Sequence, residues 1–420
     1  METQAMRIRR QLENHQTVQG LMCHVNIETL TQVHSKQILH KAKGVDGVNK
    51  YIYGKNLNEN LNKLLDKMKK MAYKPLPVRR TYIPKLNGKL RPLGIPSYED
   101  RLVQGAMASI LNDIYENIFL ECSYGFRPNR SCHDAIRTID KVVMSGKTNW
   151  VVEADIKGFF DHVDHDWLMK FLAHVIQDKT FLRYIKRFLI AGIMEDGELK
   201  DSTEGTPQGG LISPILANVY LHYVLDLWVT YAVIPNLQGE AHYVRYADDF
   251  VILCQNEEDA RNVLTMLKER LAKFSLEVAE DKTRILPFGP RADTNEEFDF
   301  LGFTFYNTTT LKGHYRIGIR TCMKKFKAKI QTFKQWIKKR MHANVIDTLE
   351  AVRRKYKGHL NYYSINGNFE MISKFRWYIE TQTFKTLRRR GQKGKMPWKV
   401  FSKLWEAYIP PAKILVNIWY

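Results

Sequence analysis

Two adjacent aspartates, Asp248 and Asp249, lie between two β-prone segments, and this feature constrains the fold more than any other. The preceding segment covers residues 242–245 and the following one residues 250–254. Runs of this composition predict two strands, so the aspartates are expected at the tip of a hairpin. Adjacent carboxylates beside buried strands repel each other and lose solvation, which is costly unless a cation or solvent neutralises them. Taken alone, the feature is more typical of a turn than of a functional site.

A third carboxylate, Asp155, ends a segment whose residues alternate in the manner of a half-buried strand. Within residues 150–156, the apolar Val152 and Ala154 alternate with Glu153 and Asp155. Successive side chains of a strand point to opposite faces, so Asp155 is expected to face away from the core. The acids that follow are more typical of turns and helix caps than of ligands: Asp161, Asp164 and Asp166.

Asp155 and Asp248 are far apart in the sequence, so only a sheet that places their strands side by side can join them in one site. Carboxylate oxygens are the ligands that hard cations such as Mg²⁺ prefer. Two such ions about 3.5–4 Å apart can activate a primer 3′-hydroxyl and stabilise a leaving pyrophosphate. The pair therefore indicates the chemistry of a nucleotide polymerase.

Seven short sequence blocks between about residues 79 and 306 carry a family resemblance. They are YIPK with LRPLGIP (82–96), YGFRP (124–128), the segment around Asp155, GTPQGG (205–210), YADD (246–249), EDKT (280–283) and FLGF (300–303). In this order and spacing they resemble the fingers and palm of a reverse transcriptase, and they are most similar to proteins encoded by bacterial group II introns. No His/Asn cluster or cysteine pair follows them, so the resemblance is to relatives without an endonuclease domain, of the group IIC kind.

This resemblance implies an α+β chain with the right-hand polymerase fold. Fingers and palm would combine an antiparallel sheet with helices, and the thumb would be α-helical. The implied regions are 1–78, an N-terminal extension with the start of the fingers; 79–307, fingers and palm; 308–385, the thumb and maturase domain; and 386–420, a short basic C-terminal segment.

The resemblance also implies roles for individual residues. The implied metal ligands are Asp155, Ile156, Asp248 and Asp249, with Mg²⁺ as the ion and Mn²⁺ as an alternative. The implied catalytic residues are Asp155, Asp248, Asp249 and Lys282. Lys282, expected in an extended segment at 277–286, would donate a proton to the leaving pyrophosphate or balance its charge. The implied contacts of the incoming nucleotide are Lys85, Arg91, Phe160, Gln208 and Gly209.

Two aromatic or basic positions allow a second interpretation. Phe160 would set an aromatic plate against the sugar C2′ position, but it could instead pack the palm beside Phe159. Arg127 suits contact with phosphate, or it could form a structural ion pair. The sequence alone leaves both alternatives open.

The charge balance indicates a polyanionic partner. The chain has 65 Lys and Arg residues against 44 Asp and Glu residues, a net charge of +21, and such a surface binds nucleic acid by neutralising phosphates. No carboxylate occurs between residues 312 and 346. A helix there is expected to have an apolar face around Phe326 and Phe333 and lysines around the rest: Lys324, Lys325, Lys327, Lys329, Lys334 and Lys338. The family resemblance implies the particular partners: an RNA template, the group II intron RNA, a DNA primer or target, and deoxynucleoside triphosphates.

A membrane role and export are not expected. The most apolar stretch, residues 211–235, contains polar residues, and the first ten residues lack an apolar signal core. The five scattered cysteines form no Cys-x-x-Cys pair, which is typical of reduced thiols in a cytoplasmic protein.

Three functional hypotheses follow from the sequence. The first is an RNA-directed DNA polymerase that also binds its intron RNA as a splicing maturase. The second is a maturase whose palm is inactive, against which the intact acids Asp155 and Asp248 argue. The third is a domesticated relative that serves phage defence or CRISPR adaptation.

Overall fold

The computed structural model describes residues 3–84, 88, 90–195, 198–200, 205, 209–292, 294–390 and 396–419. The chain forms two compact units. Unit 1 comprises Met1–Ser131, Val152–Ile252 and Glu258–Arg284; unit 2 comprises Cys132–Val151, Leu253–Glu257 and Ile285–Tyr420.

Helices make up most of the described regular structure. In chain order they are α1 (Gln4–His15), α2 (Ile27–Lys36), α3 (Lys50–Gly54), α4 (Leu57–Lys69), α5 (Tyr98–Tyr115), α6 (Cys132–Met144), α7 (His165–Val175), α8 (Lys179–Leu189), α9 (Ser213–Leu221), α10 (Glu257–Ala272), α11 (Met323–Lys338), α12 (Val345–Tyr363), α13 (Phe369–Arg388) and α14 (Trp398–Tyr408). Two π-helical segments, His222–Asp226 and Val229–Val233, follow α9. Among the described residues, no helix is both long and apolar enough to cross a membrane.

The strands form three sheets among the described residues. In chain order they are β1 (Val78–Pro84), β2 (Leu90–Ile95), β3 (Trp150–Asp155), β4 (Ile193–Glu195), β5 (Glu198–Lys200), β6 (Ala241–Tyr246), β7 (Asp249–Cys254), β8 (Arg284–Pro287), β9 (Glu297–Phe300), β10 (Phe303–Thr309) and β11 (Tyr315–Thr321). The sheet orders are β2-β1-β4-β5, β6-β7-β3-β8 and β11-β10-β9. Helices combined with mainly antiparallel sheets confirm the predicted α+β class.

The four-stranded sheet with β3 at an inner position carries the predicted acids. β3 lies beside β7, which confirms that the two acidic segments are neighbours. Val152 and Ala154 are buried, whereas Glu153 and Asp155 are partly exposed, as the alternation predicts. The core of this sheet is thus apolar on one face and leaves Asp155 accessible at a strand end.

Helices α11 to α14 of unit 2 pack around one aromatic cluster. Its buried aromatic members are Phe326, Phe333, Tyr356, Phe375, Phe401 and Trp405. The expected apolar face of α11 is therefore confirmed. The expected lysine face needs one correction, because the Nζ atom of Lys329 lies 5.1 Å from the ring centroid of Tyr363 and 5.6 Å from that of Phe375. Burial lowers the pKa of Lys329 to about 8, so this lysine belongs to the cluster's edge.

His359 behaves as an aromatic core residue of the same cluster. Its ring is 1% exposed and stacks on Phe375 at a centroid distance of 4.0 Å. Neither ring nitrogen has a hydrogen-bond partner among the described residues. Burial, followed by the charge of Lys329, lowers the pKa of His359 to about 3. The fold therefore requires the neutral imidazole.

Replacing His359 by Phe should stabilise the protein and weaken its acid sensitivity. A buried polar atom without a partner costs about 1–3 kcal/mol, and Phe keeps the stacking without that cost. The folded pKa lies below the unfolded value near 6.5, so only the unfolded state takes up this proton as pH falls. Between pH 7.5 and 5.0 the wild type should lose about 2 kcal/mol more than His359→Phe in urea unfolding. Identical pH dependence of the two proteins would contradict the buried neutral ring.

Candidate active site

The paired aspartates lie at a hairpin tip, as expected. β6 ends at Tyr246 and β7 begins at Asp249, so Asp248 belongs to the turn. Ala247 adopts a left-handed conformation with φ of 57°, which is uncommon for a residue with a Cβ atom. A strained conformation persists only where its surroundings hold it, and such residues cluster at functional sites.

Four charged groups from separate segments interact at this tip. Burial raises the pKa of Asp248, and the charge of Asp155 raises it further. Arg91 of β2 and Lys282 oppose the shift. The structure therefore brings together three of the predicted catalytic residues with one predicted nucleotide contact, Arg91.

Lys282 is an immediate neighbour of Asp155. Its ammonium donates a hydrogen bond to the Oδ2 atom of Asp155, and this bond is the main cause that raises the pKa of Lys282. The charges of Asp281 and Asp249 add to the shift. Lys282 lies in a 3₁₀ turn, Glu280–Lys282, so the expected extended segment is wrong at this position. The turn directs the lysine toward the acids.

Ile156 is held by a bridge to Val278. The bonds of this bridge run from Lys157 N to Glu277 O and from Ala279 N to Asp155 O. They flank Ile156, whose own N–H and C=O therefore point away from Val278. Its side chain is buried and apolar, so Ile156 could bind a cation only through the main-chain carbonyl.

The predicted nucleotide contacts are partly described. Phe160 is half-buried in the turn Phe159–Asp161 and meets Phe159 edge-to-face at 5.3 Å. Gly209 has a φ of 118°, and a Cβ atom there would lie 2.5 Å from the carbonyl oxygen of Gly94, so only glycine fits. This contact places Gly209 against β2, the strand of Arg91. Lys85 and Gln208 lie outside the described residues.

The donor set fits a divalent cation that is bound jointly with a substrate. No group of three or more His, Cys, Asp or Glu side chains forms a metal cage in the described part of the chain. Asp155 and Asp248 offer two carboxylates whose mutual repulsion a cation would relieve. Mg²⁺ is commonly held by one or two carboxylates, substrate phosphates and water, and a site of that kind needs no third side chain.

The sequence allowed two roles for Arg127, a contact with phosphate or a structural ion pair. The structure shows the ion pair. Its guanidinium is buried and pairs with Glu116, with Nε 3.1 Å from Oε1. Nη1 donates to the carbonyl oxygens of Leu120 and Ser123, at 2.7 and 2.9 Å. Arg127 therefore fixes the loop before Pro128 and is not available to phosphate.

Sequence reasoning missed a second buried arginine, Arg245, beneath the acidic turn. Arg245 and Asp226 are both fully buried and form an ion pair. The available signal was that charged residues occur within two strongly apolar stretches, since a buried charge requires a partner. Nothing in the spacing shows that the two charges meet.

Gly125 supports the turn from the other side. A Cβ atom at Gly125 would lie 2.4 Å from the nitrogen of Ala247 and 2.9 Å from the carbonyl carbon of Tyr246. Both neighbours are backbone atoms, so a larger residue must displace the turn. Gly125 is also held by Asn218, whose Nδ2 donates to its carbonyl oxygen at 2.7 Å.

Gly125→Ala should therefore lower activity of the site about 100-fold, because a displacement near 1 Å of a reacting group costs about that much. Gly358→Ala is the matched control, since a Cβ atom there meets nothing within 4 Å and should slightly stabilise α12. The measurement is the rate of nucleotide addition, the reaction that the sequence predicts, in both variants. Circular dichroism confirms that both are folded. Equal rates in the two variants would refute the close contact.

The chain is similar to a known protein family and to several of its members. The family described as "Reverse transcriptase (RNA-dependent DNA polymerase)" matches residues 83–305. "Protein YkfC" of Escherichia coli is 38% identical over 310 residues, which cover 65% of this chain and 78% of that protein. "Group II intron-encoded protein LtrA" of Lactococcus lactis is 30% identical over 411 residues, 78% of this chain and 67% of that protein. "Nuclear intron maturase 1, mitochondrial" of Arabidopsis thaliana is 36% identical over 94 residues, 22% of this chain and 13% of that protein.

Proposed function

The chain belongs to the reverse transcriptase family, and on that premise we propose that Asp155 and Asp248 hold the Mg²⁺ ions with which it copies RNA into DNA. The family is one of RNA-directed DNA polymerases, enzymes that use divalent metal ions. The observation that carries the proposal is the meeting of Asp155 and Asp248 from neighbouring strands, with Arg91 and Lys282 as counter-charges. Mn²⁺ would serve as an alternative ion, since it prefers the same oxygen ligands.

The residues of the chain divide the work of nucleotide addition. Asp155, Asp248 and the carbonyl of Ile156 would bind the ions, with Asp249 beside them. When bound, such ions lower the pKa of a primer 3′-hydroxyl and neutralise a leaving pyrophosphate. Lys282, like an ordinary lysine, is protonated at neutral pH, so its Nζ atom can supply charge or a proton to the leaving group.

The incoming deoxynucleotide would lie between β2 and the acids. Arg91, which is exposed, would bind the triphosphate, together with Lys85. Gln208 and the backbone at Gly209 would contact the base or sugar, as the family resemblance implies. The proposed regions are fingers and palm at 79–307, preceded by an N-terminal extension at 1–78, then the thumb at 308–385 and a basic segment at 386–420.

Asp155→Asn and Asp248→Asn should each lower Mg²⁺-dependent primer extension by at least about 100-fold, because an amide cannot replace an anionic ligand. Asp164→Asn is the matched control. Asp164 caps α7 by accepting from the nitrogen of Trp167 at 2.8 Å, and asparagine caps a helix equally well. Primer extension on an RNA template measures all three variants. A rate within tenfold of wild type for either of the first two would sink the assignment.

Phe160→Ala should raise ribonucleotide incorporation relative to deoxyribonucleotide incorporation. If the half-buried ring faces the sugar C2′ position, a 2′-hydroxyl clashes with it, and alanine removes the clash. Competition between dNTP and rNTP in single-nucleotide extension measures the ratio. An unchanged ratio in a folded, active variant would show that Phe160 only packs against Phe159.

We further propose that the chain binds a group II intron RNA as a splicing maturase. The relative from Lactococcus lactis is named for its intron, and that from Arabidopsis thaliana is named a maturase. The specific support in this chain is the surface of α11, where the exposed lysines are Lys324, Lys325, Lys327, Lys334 and Lys338. The alternative is a domesticated role in phage defence or CRISPR adaptation. If the wild-type protein promotes splicing of a neighbouring group II intron, that alternative is excluded.

Replacing Lys324, Lys327 and Lys334 by Gln should weaken RNA binding and flatten its salt dependence. Each lost phosphate contact should reduce the slope of log K against log salt by about 0.7–0.9. Filter binding at several salt concentrations measures the slope. The double variant Asp248→Ala, Asp249→Ala is the control, because it should keep RNA binding while losing primer extension. A wild-type slope in the lysine variant would show that α11 does not face RNA.

A further inference from the structure

We propose that Arg245 is a positioning residue for the acidic turn: its buried guanidinium fixes the main chain of Ala247, the residue before Asp248. The effect on catalysis rests on the proposed function. The effect on the backbone does not.

All five guanidinium N–H groups of Arg245 have a partner. Nε donates to Asp226 Oδ1 at 2.6 Å, and Nη2 donates to Asp226 Oδ2 at 2.5 Å and to Ser123 Oγ at 2.8 Å. Nη1 donates to Asn218 Oδ1 and to the carbonyl oxygen of Ala247, both at 3.0 Å. An arginine has five such donors in a rigid plane, so the bonds leave it one orientation. The carbonyl of Ala247 is thereby tied to three side chains.

The main chain of Arg245 clamps the neighbouring loop as well. Its nitrogen donates to Cys122 O at 2.8 Å, and its carbonyl oxygen accepts from Tyr124 N at 2.9 Å. The loop continues to Gly125, which contacts the turn at Ala247. The turn is thus bounded by the loop on one side and by the guanidinium on another. Such a double hold explains how Ala247 keeps its left-handed conformation.

Stability alone does not account for the pair of Arg245 and Asp226. Both side chains are 0% exposed, and burying two charges costs free energy that their attraction only partly returns. Well-packed apolar residues at such places are often as stable, whereas charges fix a geometry. The pair is therefore better explained by what it orients, and the group it orients is the turn.

The helix that supplies Asp226 is irregular at that residue. Asp226 ends the π-helical segment His222–Asp226, and a second segment, Val229–Val233, follows. π-Helical turns are rare and occur often at functional sites. Arg270 donates to the same helix, through Nε to Val224 O at 2.9 Å and through Nη2 to Tyr223 O at 3.1 Å. None of its hydrogen bonds in the described part of the chain reaches the turn. Arg270 thus offers a matched comparison with Arg245.

The test compares Arg245→Lys and Ser123→Ala with Arg270→Lys. Lysine keeps the charge opposite Asp226 but has three donors on a flexible stem, so it cannot hold four groups at once. Ser123→Ala removes one bond of Nη2 and leaves the ion pair, so it remains informative if Arg245→Lys fails to fold. Hydrogen exchange of the metal-free full chain reports the amides of residues 246–249, and primer extension on an RNA template gives kcat and the KM for dNTP.

We expect Arg245→Lys to speed exchange of the turn amides about tenfold and to lower kcat about 10- to 100-fold, with a smaller change in KM. Ser123→Ala should shift exchange and kcat in the same direction by less. Arg270→Lys should leave both near wild type. The proposal would be overturned if a folded Arg245→Lys or Ser123→Ala protein had the exchange rates and the kcat of the wild type. It would also be overturned if Arg270→Lys changed both quantities as much as Arg245→Lys does. If the wild type extends no primer, the proposed function fails, and the exchange rates alone still decide whether Arg245 holds the turn.

Discussion

Asp155 and Asp248 repel each other at the ends of neighbouring strands, and much of unit 1 around them offsets that repulsion or holds the backbone against it. Arg91 and Lys282 supply positive charge from separate segments. Beneath the turn, Arg245 ties the backbone of Ala247 to Asp226. A divalent cation bound with a substrate would neutralise the remaining negative charge, so the repulsion between the two carboxylates is the electrostatic cost of building a cation site.

Several local departures from ideal geometry occur at or beside this site. Ala247 is left-handed, Gly125 and Gly209 allow backbone contacts that no larger residue could make, and the helix after α9 contains π-helical segments. Each departure costs free energy that an ideal strand or helix would save. Proteins retain such costs where function requires a particular geometry. The aromatic cluster of unit 2 differs, since its cost lies in buried polar atoms without partners among the described residues, at Tyr356, His359 and Trp405.

The sequence predicted the parts of the fold that depend on local periodicity. The alternation around Asp155 and the β-prone runs beside Asp248 were sufficient for two strands and a hairpin. Other features depend on contacts that no local pattern contains. Lys282 lies in a 3₁₀ turn rather than in an extended segment, and Lys329 packs against aromatic rings. Arg245 forms an ion pair with Asp226, which an irregular helix supplies. For Arg127 the sequence allowed two roles, and only its burial beside Glu116 separates them.

In the proposed reaction, the carboxylates of Asp155 and Asp248 jointly bind the divalent ions of nucleotide addition. The most direct measurement is anomalous X-ray scattering from Mn²⁺ in crystals of the chain with an RNA template, a primer that ends in a dideoxynucleotide, and an incoming dNTP. We expect anomalous peaks within coordination distance of both carboxylates and of the triphosphate. Peaks that contact the triphosphate but neither Asp155 nor Asp248 would rule out joint binding by the two carboxylates.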